Sequence, residues 1–367
     1  MTSDDGLERE RAIAAFLAHA GLARAAREVL AGDASTRRYE RLRLVGGTSL
    51  IFMDQPPSVE TPPCPPLATE EERRALGFNA MYRLAAGRIE AFVACAGYLR
   101  GRGLSAPRVI ASDPPAGFAL LEDLGDNLYA RLLGRGGRES MLYDAAIDVL
   151  VLLHAEAPPP VLVSEGASWP LLTYDDLALK TAGELFLEWL PRLLPDLELG
   201  PEAAAEWDAL WAPVRARAVA RAEVFCLRDY HAENLIWLPK RAGAARVGLL
   251  DFQDAVRAHP AWDLSMLLHD ARRDVSGERE QESLARYLAA RPEVEPEGFL
   301  ADFHALGALN MARILGIFAR LVVRDGKPRY RAMMPRLWRY LDRCLTAPAP
   351  AGLAAWLARF VPAEARR

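Results

Sequence analysis

The sequence predicts an α+β, bilobal protein: a small, mostly antiparallel sheet lobe followed by a larger, mainly helical lobe, divided between residues 123 and 124. β-type runs at 37–45, 49–53, 107–111 and 117–121 all precede residue 122, and the turn signals Gly46-Gly47 and Asp113-Pro114-Pro115 join them in pairs. Helical periodicity then takes over at 138–157, 175–194, 201–222, 261–273, 278–290, 297–324, 329–346 and, more briefly, 353–360. One β-hairpin, 234–238 with 246–252, interrupts these helices.

The first lobe opens with an amphipathic helix expected over 7–31, with Ile13, Phe16, Leu17 and Leu22 at helical spacing and Gly32 as its stop. Residues 55–66 contain six prolines and are expected to be an exposed loop without regular structure. A prominent helix at 89–102 ends at Gly103.

With 367 residues, 51% of them hydrophobic, and a formal net charge of -4, the composition suits a globular core and argues against a protein held on nucleic acid by bulk charge. The four cysteines (Cys64, Cys95, Cys226, Cys344) form no C-x-x-C pair, so neither zinc nor a redox motif is expected. The acidic opening MTSDDGLERERA is unlike a secretory signal, and no uninterrupted apolar run reaches about 18 residues. A cytoplasmic monomer is expected, with no membrane or nucleic-acid partner. Lysine occurs only at Lys180, Lys240 and Lys327, so the first lobe has none.

The chemistry lies in Cys226-Leu-Arg-Asp-Tyr-His-Ala-Glu-Asn-Leu-Ile-Trp and the later Val247-Gly-Leu-Leu-Asp-Phe-Gln-Asp. R-D-x-x-x-x-N precedes one strand, and D-F-Q closes the next. Phosphoryl transfer needs an aligned hydroxyl and neutralised phosphate charge rather than covalent help from protein. Asp229 is the candidate base for the acceptor hydroxyl. Asn234, through its amide oxygen, and Asp251, through its carboxylate, are candidate ligands for Mg²⁺, a hard cation.

This segment resembles the catalytic core of the aminoglycoside phosphotransferase and choline kinase superfamily, relatives of the protein kinases. There H-x-D-x-x-x-x-N is followed by I-D-F/W and then by a Y/W-D-L helix start. Here Arg228 stands directly before Asp229, and Pro260-Ala-Trp-Asp-Leu matches the last element. The resemblance implies a protein-kinase-like fold using ATP and Mg²⁺, with 1–123 binding nucleotide and 124–367 holding the catalytic residues and the acceptor. It makes Asp263 a brace for the catalytic loop, although an N-cap for helix 264–273 is an equal reading. His231 is expected to support the loop rather than transfer a proton.

A narrower resemblance is to the anomeric sugar kinases that phosphorylate the 1-position of N-acetylmuramate and N-acetylglucosamine in cell-wall recycling. It rests on Gly32-Asp-Ala-Ser-x-Arg-Arg-Tyr, Met53-Asp-x-Pro-Pro, Leu121-Glu-Asp-Leu-Gly, Asp270-Ala-Arg-Arg-Asp and Gly316-Ile-Phe-Ala-Arg-Leu. The turn 32–35, ending at Ser35, either approaches phosphate with its backbone or is an ordinary helix stop. Glu122 and Leu124, where the lobes join, either pair with the adenine edge or form a plain linker. Protein kinases neutralise the nucleotide phosphates with a strand lysine paired to a helix glutamate. Lacking it, this chain either offers Arg37 or Arg38 or binds nucleotide weakly; Glu90 is the candidate orienting partner, unless it is simply a surface residue.

The segment 299–345 carries nine basic residues against the three acids Asp302, Asp325 and Asp342. That balance fits an anionic or neutral sugar better than a polycationic aminoglycoside, unless the charges are simply a solvated helical face. Arg272, Arg273 and Arg313 are candidate contacts for a carboxylate or phosphate, and Trp189 either stacks on a sugar ring or is a core tryptophan. Other readings are a kinase of another small hydroxyl compound (aminoglycoside, choline, homoserine) and a non-catalytic nucleotide-binding scaffold.

Overall fold

The computed structural model describes residues 3–30, 37–55, 62–85, 87–136, 138–164, 166–347 and 352–366. The first part comprises α1 (Ser3–His19), β1 (Ala26–Val29), β2 (Arg38–Arg43), β3 (Ser49–Asp54), α2 (Glu70–Leu76), α3 (Ile89–Gly101), β4 (Val109–Asp113) and β5 (Phe118–Glu122). The five strands form one antiparallel sheet in the order β1-β2-β3-β5-β4. The helix expected over 7–31 is shorter than that: it ends before Gly21, which sits at φ 75, and Ala26–Val29 become an edge strand paired with β2. Cross-strand pairing outweighs the helical propensity of Ala, Arg and Glu there.

Alternation along the strands buries both faces of this sheet. Phe52, Phe118 and Leu120 face one way and pack on Ile13 and Leu17 of α1. Met53, Ala119 and Leu121 face the other way, into the main core with Phe92, Cys95 and Leu99 of α3. Arg9 of α1 pairs with Asp54 and lies 4.1 Å from the centroid of the Phe118 ring, tying the helix to the sheet.

The remainder is mainly helical, as expected for the fold class. It contains α4 (Tyr129–Gly134), α5 (Glu139–Leu153), β6 (Val161–Ser164), β7 (Ala167–Pro170), α6 (Asp176–Leu193), α7 (Pro201–Ala220), β8 (Val224–Cys226), β9 (Leu235–Trp237) and β10 (Val247–Leu249). These are followed by β11 (Val256–Ala258), α8 (Ala261–Leu268), α9 (Gly277–Ala289), α10 (Pro296–Val323), α11 (Met334–Leu345) and α12 (Leu353–Phe360). The expected hairpin is β9–β10, while β6–β7 and β8–β11 are pairs too short to show in the pattern. Helix α8 stops five residues early because the Asp270 carboxylate takes the N–H groups of Arg272 and Ala232 instead.

Residues 70–83 were not expected to be helical. They form α2, with a capping box at Thr69 and Glu72, and a π-helical turn, Asn79–Arg83. Arg73 holds this segment together by donating to the Ala80 carbonyl (3.0 Å), and anchors it by an ion pair with Asp175 at the start of α6.

By length and composition α10 could cross a membrane, but 72% of its apolar window is buried inside the protein, where it serves as a core helix. Its crossing with α6 is unusually close. A Cβ at Gly316 would stand 2.3 Å from the Leu185 carbonyl carbon, and one at Gly183 would stand 3.1 Å from Leu309. Gly316→Ala must therefore push two backbones apart and should lower stability by about 2 kcal/mol. Urea denaturation should show a lower midpoint, whereas Gly101→Ala, whose Cβ meets nothing within 4 Å, should leave it unchanged or raise it.

Candidate active site

The loop between β8 and β9 is set by a carboxylate from a distant helix. Asp263, fully buried, accepts hydrogen bonds from the N–H groups of Leu227 (2.7 Å) and Arg228 (2.9 Å) and from the Cys226 thiol (3.1 Å). It is the third residue of α8, whose N-cap position is Pro260, so its side chain serves the loop and does not cap the helix. Burial pushes its pKa up to about 6 against the pull of those hydrogen bonds. Arg228 adopts φ 68, a left-handed conformation that is strained for a residue with a Cβ. Its guanidinium lies near the rings of Tyr82 (5.1 Å) and Tyr174 (4.8 Å) and donates to the Arg83 carbonyl (2.9 Å).

Asp229, the next residue, lines a cleft of about 660 Å³ together with Asn234 and Asp251. Its carboxylate accepts no hydrogen bond among the described residues. Burial raises its pKa, as does the nearby Asp251 charge, while Arg313 and Arg228 pull it down. Asn234 donates its Nδ2 to the Asp229 carbonyl (2.9 Å), which leaves Oδ1 for another partner. Asp251 follows β10 at φ 57. Burial would raise its pKa, but the Arg37 guanidinium and the Gln253 amide (3.0 Å) outweigh that and hold it low.

No cluster of three His, Cys, Asp or Glu side chains forms a metal cage among the described residues. One carboxylate and one amide oxygen instead suit a hard cation that completes its shell with water and phosphate oxygens.

The other expected residues divide. Arg37 is buried, donates to Gln253 Oε1 (2.7 Å) and reaches Asp251, whereas Arg38, beside it, is exposed at the start of β2. Glu90 pairs with Arg88 (3.1 Å). Ser35 lies outside the described residues. The Glu122 N–H is taken by the Arg108 carbonyl (2.8 Å) and its carboxylate by Arg241 (2.6 Å), so neither is directed at a ligand. Leu124 is buried against Gly248, 3.0 Å from where a Cβ there would stand.

Arg272 and Arg313 line the cleft. Arg272 pairs with Glu233 (2.7 Å) and donates to His231 Nε2 (3.2 Å). Asn234 Nδ2 also faces that nitrogen (3.3 Å), so Nε2 is an acceptor and the ring proton belongs on Nδ1. Two expectations fail. Arg273 points away to Glu139 (3.4 Å) and the Tyr143 ring, and Trp189 lies outside the cleft under the Arg192 guanidinium (4.3 Å). Each sits on a side of its segment that packing turned elsewhere. Much of the basic surplus in 299–345 is neutralised internally, with Arg336 and Arg339 on Asp274 and Arg343 on Glu280.

Several cleft residues gave no sequence signal of their own. Arg131 and Arg329 carry no motif, and Asp270 stood inside a quoted motif without a role, as did Gln253, which is buried behind the cleft on Asp251. Arg41 clamps the lobe junction by bonding Asp123 (2.7 Å) and Asp126 (2.8 Å).

Comparison with known proteins gives the family and the fold. The model of the phosphotransferase enzyme family matches residues 26–297. The chain belongs to this family. Within the phosphotransferase family it is 66% identical over 360 residues to a Caulobacter vibrioides protein named N-acetylmuramate/N-acetylglucosamine kinase, covering 98% of this chain and 99% of that one. A Pseudomonas aeruginosa protein of the same name is 32% identical, with 84% of this chain and 81% of that one covered. Among solved structures, a choline/ethanolamine kinase family protein from Mesorhizobium loti superposes with a TM-score of 0.54 at 16% identity, covering 95% and 98% of the two chains. That likeness shows the fold of the phosphotransferase family alone.

Asp263→Ala should orphan two buried N–H groups, at about 1–3 kcal/mol each. Hydrogen exchange should accelerate at the Leu227 and Arg228 amides, and turnover should fall with it.

Proposed function

We propose that the protein is an ATP- and Mg²⁺-dependent sugar kinase that phosphorylates the anomeric hydroxyl of N-acetylmuramate and N-acetylglucosamine, feeding UDP-sugar synthesis in cell-wall recycling. One observation carries the chemistry: Asp229, Asn234 and Asp251 face the same cleft, the first with its carboxylate open. The acceptor follows from the 66%-identical relative; the cleft lining itself is balanced, with arginines at 131, 272, 313 and 329 beside Asp229, Glu233, Asp251 and Asp270.

In this reading residues 1–123 bind the nucleotide, with Leu124 at the junction beside the base, and 124–367 hold the acceptor. The Asp229 carboxylate takes the proton of the sugar O1 hydroxyl as that oxygen bonds to the γ-phosphorus and the bond to ADP breaks. Asn234 Oδ1 and the Asp251 carboxylate would hold Mg²⁺, which when bound supplies positive charge to the nucleotide phosphates. Arg228, His231 and Asp263 keep the loop in shape. Arg37 stands in for the missing strand lysine, reaching the Asp251 side of the cleft from the first lobe. The protein is read as a cytoplasmic monomer.

Coupled ADP release should show turnover with N-acetylmuramate and N-acetylglucosamine but not with kanamycin or choline. Asp229→Asn should lose at least about 100-fold in kcat. Turnover confined to kanamycin or choline would reject the acceptor assignment, and near-normal kcat in Asp229→Asn would reject the base.

Arg37→Ala should lower kcat/KM for ATP by at least about tenfold, or about 1.4 kcal/mol. Arg38→Ala, on the solvent side of the strand, should change it little. The reverse ranking would return the phosphate role to Arg38.

A further inference from the structure

Two buried cations flank Asp229, and both are held by one side chain outside the recognised motifs. Tyr82 lies on the π-helical turn Asn79–Arg83 and is itself buried. Its hydroxyl receives a hydrogen bond from Arg313 (2.6 Å), and its ring lies under the Arg228 guanidinium. Its own carbonyl accepts from Arg228 as well (3.4 Å).

The character of the Arg313 partners is informative. Besides Tyr82, the guanidinium donates to Asn310 Oδ1 (2.8 Å) and approaches the Met266 sulfur (3.4 Å) and the Trp262 ring (5.5 Å). All four are neutral, although Arg313 is only 6% exposed. A guanidinium buried without a bonded anion is costly unless its charge serves something nearby. Here that is the cleft, which Arg313 lines beside Asp229. A carboxylate at position 82 would cancel this charge; a phenol aims the guanidinium and leaves the charge intact.

The turn carrying Tyr82 is itself unusual. The non-glycine residues with positive φ among those described are Arg228, Asp251 and Leu84, the residue that closes this turn at φ 68. Two of the three belong to the catalytic elements. π-Turns and strained backbone both concentrate where function requires them. The segment does not depend on Tyr82 for its anchorage, because Arg73 pairs with Asp175 and Arg83 with Asp254 (3.2 Å).

We propose that Tyr82 is a positioning residue for phosphoryl transfer: its hydroxyl sets Arg313, and its ring sets Arg228, on either side of Asp229. The proposal rests on the reading of Asp229 as the base and goes beyond it by placing a first-lobe segment in the catalytic apparatus. Removal of the hydroxyl alone leaves the ring stacking under Arg228 in place and frees Arg313 to turn.

Tyr82→Phe is the test, measured against wild type and in the Arg313→Gln background. Tyr82→Phe should keep its melting temperature within about 2 °C. It should lose about tenfold in kcat, with the KM for Mg·ATP little changed. In the Arg313→Gln background the same substitution should have almost no further effect, because the two act as a unit. Tyr82→Leu, which also removes the ring, should lose more than Tyr82→Phe. Unchanged kcat in Tyr82→Phe, an equal loss in both backgrounds, or a Tyr82→Phe protein that does not fold would each overturn the proposal. If wild type turns over no amino sugar, the sugar reading fails by itself. The same cycle read on Mg·ATP hydrolysis, or on whichever acceptor is used, still decides the role of Tyr82.

Discussion

The site depends on one buried carboxylate bound to two consecutive backbone N–H groups. Asp263 takes the amides of Leu227 and Arg228 from a helix that follows the loop by more than thirty residues, and so fixes the peptide planes just before Asp229. Those amides would otherwise be orphans in a water-poor interior, and the carboxylate would be an uncompensated charge. Each cancels the penalty of the other. With the planes fixed, Arg228 is forced into a left-handed conformation and Asp229 is turned toward the cleft.

Electrostatics then differentiates the two acids that line the cleft. Asp251 has a guanidinium and an amide on its Oδ1 and is held as the anion, the form that the proposed cation ligand requires. The Asp229 carboxylate accepts no hydrogen bond among the described residues and feels the Asp251 charge, which favours taking up a proton. Two carboxylates in one cleft are thus pushed toward different work by their neighbours. The first lobe contributes to this division, because Arg37 bonds Asp251 from across the cleft. A fold without a strand lysine has placed a cation near the same centre by another route.

The helical scaffold supplies the opposite wall. The close crossing of α10 with α6, made possible by Gly316, fixes a helix that carries Asn310, Arg313, Ile314, Ile317 and Phe318. Arg313 and the three apolar side chains line the cleft, and Asn310 holds Arg313 from behind. The segment 70–83 leans on the same helix through Arg320 and Phe78 (5.2 Å) and through Tyr82 and Arg313, so a first-lobe segment is packed against the helical half.

From residue order alone, the two-part fold, the catalytic loop and its facing strand were legible. R-D-x-x-x-x-N and D-F-Q bracket a short hairpin, and over so few residues chain geometry leaves little freedom in where Asn234 and Asp251 meet. Tertiary structure alone decided the rest. Neighbouring residues of an extended chain point to opposite sides, so whether Arg37 or Arg38 reaches Asp251 depends on how the strand is seated, which composition does not encode. Arg272 and Arg273 lie in the turn after α8, where Asp270 takes the Arg272 N–H, and only tertiary contacts decide that Arg272 faces the cleft; the helix of Trp189 presents it away from the site. The loop brace at Asp263 could equally have been a helix cap until the start of α8 was known. Tyr82 carried no signal, because a phenol acquires its role only from the two arginines that folding brings to it from positions 228 and 313.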